Sequence, residues 1–136
     1  MKEKLIDEVL QVFSELALKL GMELVQSETS PLYETVIYSG SRKALVISED
    51  IREGYISVRA GTRLDSFVSA DSSTHKYAVE EPVSVEMLMV QDSVYNEIPK
   101  GYYTLMKPGK RKEALQKFAQ YISNNLDKVF ILQEMP

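Results

Sequence analysis

Apolar residues recur at three- and four-residue steps through the first twenty positions: Leu5, Ile6, Val9, Leu10, Val12, Phe13, Leu16, Ala17 and Leu20. That spacing places them on one stripe of an α-helix, and Lys4, Glu8, Gln11, Glu15 and Lys19 fall on the opposite face. The pattern predicts a helix over residues 2–20, ended by Gly21, where a left-handed cap costs glycine little. A stripe this broad requires a sheet or a second helix to cover it.

Three segments rich in β-branched and aromatic residues follow: Leu32 to Ser39, Lys43 to Ser48 and Tyr55 to Ala60. Their links, Gly40-Ser41 and residues 50–54, suit hairpins and are too short for a crossover helix, so an antiparallel meander is expected. In the third segment Ile56 and Val58 point one way and Tyr55, Ser57 and Arg59 the other, which predicts one covered face and one wetter face. Beyond it, Leu64, Phe67 and Val68 suit an edge strand and Tyr77-Ala78-Val79 a returning one. Pro82 then opens a short helix containing Val83, Met87, Leu88 and Val90; the alternation of Val83, Val85, Met87 and Met89 also suits a strand. Asn96 to Gly109 reads as loop. Ala114, Leu115, Phe118, Ala119, Ile122 and Leu126 mark a second amphipathic helix over about 110–128. With no internal repeat and no polar linker, residues 1–136 are expected to form a single α+β domain: an antiparallel β-meander sheet packed by an N-terminal and a C-terminal amphipathic helix.

Composition removes whole classes of chemistry. The 136 residues hold no Cys and one His, so thiolate metal sites, iron–sulfur clusters and cysteine nucleophiles are excluded. No apolar run reaches the ~20 residues of a membrane span, and the N-terminus lacks the pattern of a secretory signal, which together predict a cytoplasmic protein. The net charge is −4, and the acidic excess lies in residues 1–40, with 3 basic and 7 acidic groups. Such a balance disfavours phosphate backbones, so no direct nucleic-acid binding is expected.

No motif brings catalytic groups together. His75 sits in a turn-like stretch with Asp71, Ser73 and Thr74 at no ligand spacing, and no nucleophile-elbow or phosphate-loop pattern occurs. Lys107-Pro108-Gly109-Lys110-Arg111-Lys112 reads as a solvated basic turn; cations at a helix start oppose the helix dipole, and a bound phosphate or acidic partner would relieve this. Glu49, Asp50 and Glu53 flank Arg52 in the second hairpin turn. They lack the spacing of a calcium loop and read as a polar tip able to dock a basic partner. Tyr33, Tyr38, Tyr55 and Tyr77, with Arg59 and Arg63, suit either a half-exposed sheet or an interface. Met87, Met89 and Met106 read as core filler. No catalytic residue, metal or cofactor is expected.

The order of elements carries a resemblance. Leu16 to Glu23 closes the first helix. Val36-Ile37-Tyr38-Ser39, Leu45-Val46-Ile47-Ser48, Asp50-Ile51-Arg52-Glu53 and Tyr55-Ile56-Ser57-Val58 follow at short spacing, and Lys112 to Leu126 leads into Val129-Phe130-Ile131-Leu132. This layout resembles the small α+β immunity proteins of bacterial polymorphic-toxin systems, including contact-dependent inhibition. The resemblance implies a non-catalytic module that neutralises a cognate toxin by direct binding, often a basic nuclease domain, and leaves Glu49, Asp50 and Glu53 as the contact candidates. A second resemblance, to type III secretion chaperones, implies a dimer that holds an extended effector segment; the tight hairpins after Gly21 depart from that pattern.

Overall fold

The computed structural model describes residues 4–29, 31–40, 43–51, 54–61, 63–66, 77–80, 83–94 and 109–130. In chain order these are α1 (Leu5–Leu20), β1 (Glu23–Thr29), β2 (Tyr33–Gly40), β3 (Lys43–Asp50), β4 (Tyr55–Gly61), β5 (Arg63–Ser66), β6 (Tyr77–Glu80), β7 (Val83–Ser84), α2 (Val85–Gln91), α3 (Lys110–Asn124) and α4 (Leu126–Val129). The expected α+β architecture is present. A five-stranded sheet runs β1-β2-β3-β4-β7, antiparallel at every pairing, and β5-β6 form a separate hairpin.

The helices end as their sequences direct. Gly21 adopts a left-handed φ of 77°, and the Met22 and Gly21 amides return to the Ala17 and Leu18 carbonyls. This pair of bonds satisfies carbonyls that the last turn would otherwise orphan. α2 opens one turn later than expected from Pro82: Ser84 caps it, its hydroxyl accepting from the Met87 amide at 3.3 Å. The buried side chains of α2 are Val85 and Met89, whereas Met87 and Val90 face solvent, so Met87 is not core filler. Glu86 accepts from the Val58 amide at 3.1 Å, satisfying a donor near the β4 edge of the sheet.

Strand register sets what faces the helices. Val36, Ile47 and Val58 are cross-strand partners. With Tyr38, Leu45, Ile56 and Ala60 they form the front face, packed on Leu5, Val9, Phe13 and Leu16 of α1 and on Ala114, Leu115, Phe118 and Ile122 of α3. Gly40, at the end of β2, is held where a Cβ would fall 2.4 Å from the Gly21 carbonyl oxygen, so β2 closes directly onto the helix cap. On the back face Ile37, Ala44 and Val46 are also buried yet lie outside that core. They sit toward the end where β5 leaves β4, and the β5-β6 hairpin approaches β2, β3 and β4 within 8 Å, Cα to Cα. The opposite end of the back face carries Tyr33, Thr35, Ser48, Asp50, Tyr55 and Ser57, all half-buried or exposed.

Candidate functional site

Beneath the open end of the sheet lies a buried ionic cluster. Arg111 is 4% exposed and Glu49 1%. The Arg111 Nε donates to Glu8 at 2.6 Å and its Nη1 to Glu49 at 2.8 Å, while Glu34 lies 3.9 Å from Nη1. Burial works against the guanidinium charge, but the Glu8 hydrogen bond and the charges of Glu49 and Glu8 outweigh it and raise the Arg111 pKa further above its ordinary value. The cluster joins α1, β2, β3 and α3 at one point. Glu34 and Glu49 are direct cross-strand partners, a like-charge pair that would push β2 and β3 apart without a cation between them and the helices. Glu34 also accepts from the Leu5 amide at 3.1 Å. It thereby satisfies a free donor at the start of α1, whose Lys4 cap supplies no side-chain bond, and places its charge at the positive helix end.

This cluster fixes what the other side of the sheet presents. Side chains alternate along a strand, so holding Glu34 and Glu49 inward turns their neighbours Tyr33 and Asp50 outward. Tyr33 pairs with Asp50 and Asp50 with Tyr55 across three adjacent strands. Tyr33 is 43% and Tyr55 47% exposed, with Asp50 half-buried between them. The next row, Thr35, Ser48 and Ser57, is hydroxylic, and the Thr35 and Ser48 oxygens lie 3.3 Å apart. Glu28 of β1, opposite Thr35, extends the row and accepts from the Gln26 amide nitrogen at 2.9 Å. The result is an acidic and aromatic surface backed by the buried cluster.

Two expected site assignments change. Glu49 belongs to β3 rather than to the hairpin tip, and its burial against Arg111 removes it from any contact surface; of the three carboxylates, Asp50 stands on the open face and Glu53 lies outside the described residues. The basic turn is not wholly solvated either. α3 starts at Lys110, and Arg111 turns inward, while Lys112 reaches Gln11 at 2.7 Å and Lys110 pairs with Glu113. The repulsion expected at that helix start is met internally by Glu8 and Glu49, which leaves no need for a phosphate. Glu8, assigned to the polar side of α1, is buried for the same reason. His75, Arg52, Lys107 and Met106 lie outside the described residues, as do the side chains of Arg63 and Tyr77. Tyr38 faces the core, where burial raises its pKa and the Ser14 hydroxyl partly offsets the rise.

A second polar constellation closes the far end of the helical layer. Asp92, after α2, accepts from the Tyr121 hydroxyl at 2.6 Å and from Lys128 at 2.8 Å, beside a shallow cleft of about 280 Å³. Those two bonds lower the Asp92 pKa. Burial and the same hydrogen bond push Tyr121 up to about 12. A phenol held neutral and a carboxylate held ionised by fixed partners tie α2 to α3 and α4; neither is poised to exchange protons near neutral pH. Among the described residues no group of three or more His, Asp or Glu is arranged to hold a metal ion, and no helix is long and apolar enough to cross a membrane. Comparison of the chain with protein-family models, with curated proteins and with solved structures gives no significant match.

Proposed function

We propose that this chain is a non-catalytic protein-binding module of the immunity kind, which neutralises a basic toxin domain by docking it on the open end of the sheet. The observation that carries the reading is the row Tyr33, Asp50 and Tyr55 across β2, β3 and β4, with both rings exposed. Tyrosines bury area at little conformational cost while keeping a polar end, and they are enriched where interfaces concentrate their energy. Here they stand on a strand scaffold pinned from behind by Arg111, so little ordering has to accompany binding. The acidic excess of residues 1–40, including Glu28 on the same face, favours encounter with a basic partner.

Co-expression with the protein encoded by the adjacent upstream reading frame tests the proposal. Growth should be rescued, and the two chains should elute together as a one-to-one complex. Asp50→Lys should slow association and flatten its salt dependence without moving the unfolding transition. No rescue together with no complex would overturn the reading.

A further inference from the structure

The two edges of the main sheet are finished differently. At the β4 edge, β7 pairs with Arg59 and Ala60, and Glu86 accepts from the Val58 amide. Among the described residues β1 pairs with β2 alone, and no further strand lies on its outer side. An edge of this kind is a template for another extended chain, and proteins commonly guard it with lysine, proline or a bulge. β1 contains neither lysine nor proline. Its one guard is the register shift between Leu24 and Gln26, beyond which Gln26 to Thr29 pair regularly.

The side chains along β1 say what such a chain would carry. Leu24 is the partner of Tyr38 and shares its front face; Glu23, the partner of Ser39, shares the back face. The front is apolar here. Leu24 and Val25 are both exposed, the Ser14 hydroxyl of α1 sits by the Tyr38 phenol, and the exposed Leu10 lies on that side of α1 one turn earlier. The back is acidic: residues 21–40 hold three carboxylates, Glu23, Glu28 and Glu34, and no Lys or Arg. Glu34 belongs to the buried cluster and Glu28 is engaged by Gln26, so the exposed Glu23 is the group offered to a partner. A second copy would set this acidic strand against itself, whereas a basic chain is drawn to it. We infer that the outer edge of β1 accepts an extended segment of a partner protein in which basic side chains, beside Glu23, alternate with apolar ones, beside Leu24. Main-chain bonds to the edge would give affinity, and the alternation would give specificity. The site is separate from the Tyr33–Asp50–Tyr55 row, whose Tyr55 stands on β4, three strands away.

The experiment uses the intact chain and a short capped peptide alternating lysine with valine, followed by two-dimensional NMR and amide hydrogen exchange. Saturable shifts along Leu24 to Thr29 are expected, with slower exchange of the β1 amides. A peptide alternating glutamate with valine should be silent. So should the lysine peptide N-methylated throughout, which keeps its charge and side chains but cannot donate to an edge. Glu23→Gln should weaken binding about 1.5- to fivefold, the range of an exposed cross-strand charge pair. Leu24→Lys, which plants a guard charge on the edge, should abolish it, and Tyr55→Ala should leave it unchanged. Should Leu24→Lys fail to fold, the N-methylated peptide still decides the matter. Binding that persists with the N-methylated peptide, that is lost in Tyr55→Ala, or that never appears would overturn the inference. A dimer on sizing chromatography that Leu24→Lys splits, with no peptide bound, would overturn it in favour of a second copy.

Discussion

Replacing Arg111 by methionine removes the guanidinium that bonds Glu8 and Glu49 and lies 3.9 Å from Glu34, while keeping a side chain of similar reach. Breaking a buried ion pair from one side costs about 3–5 kcal/mol. The variant can avoid part of that cost by binding protons. Protonating one glutamate at about pH 7 requires ~3.7 kcal/mol, from a reference pKa of ~4.3. If one carboxylate is protonated to let the site close, the loss is about 4 kcal/mol. That is a large share of the ~5–15 kcal/mol that holds a typical domain together. The sign of the pH dependence follows. The folded variant holds protons that its unfolded chain releases above ~4.3, so its stability falls as pH rises, by about 1.4 kcal/mol per unit and per proton. Between about pH 5 and 7 the gap to the parent should widen by roughly 2.7 kcal/mol for each proton taken up. Urea unfolding followed by circular dichroism at several pH values measures this directly. Glu8→Met with Glu49→Met in the Arg111→Met background should recover much of the loss, because an apolar replacement leaves fewer buried charges uncompensated. A gap that does not change with pH, or an Arg111→Met variant as stable as its parent at neutral pH, would refute the reasoning.

Other consequences of the fold can be measured as simply. Gly40→Ala would bring a methyl group into the Gly21 carbonyl, 2.4 Å from the ideal Cβ position; neither partner is a flexible side chain, so a loss of about 1–3 kcal/mol is expected in urea unfolding. In an alkaline absorbance titration Tyr121 should ionise near 12, after ordinary tyrosines near ~10, and Tyr121→Phe should remove that late step. Because the folded pKa is the higher one, the contribution of Tyr121 is present below about pH 10 and lost as pH climbs toward 12. Asp92→Asn should bring the Tyr121 step earlier, since the carboxylate that restrains the phenol is gone.

The architecture was legible wherever burial was one-sided. α1, the β2-β3-β4 meander and α3 each place apolar groups at the period of their own backbone, and each appears within a few residues of its expected bounds. β1 was not foreseen because it is an edge strand with both faces partly solvated, so Glu23 to Thr29 carries no alternation. The late start of α2 turned on Ser84, whose hydroxyl caps better than the preceding proline. The ionic cluster was the larger omission, although its traces are visible. Glu34 and Glu49 occupy the inward parity of Val36 and Ile47, Glu8 precedes Val9 on the apolar side of α1, and Arg111 extends the Ala114, Phe118 and Ile122 stripe one turn back. Each looks like a frayed element end when read alone. Only the pairing register, with α1 against α3, brings three acids from distant segments onto one base. The proposed docking face was half legible: Asp50 was read as part of a polar hairpin tip, but its place between Tyr33 and Tyr55 depends on a register that hairpin spacing alone leaves open.

The central claim, that the open row on the back of the sheet recognises a basic protein, is tested most directly by the affinity of the co-expressed toxin for a chain carrying Tyr33→Ala, Asp50→Lys and Tyr55→Ala. Hot-spot residues contribute at least ~2 kcal/mol, so at physiological salt the dissociation constant should rise by about 30-fold or more, with the unfolding curve unchanged. A triple variant that folds and binds the toxin as tightly as its parent would contradict the account.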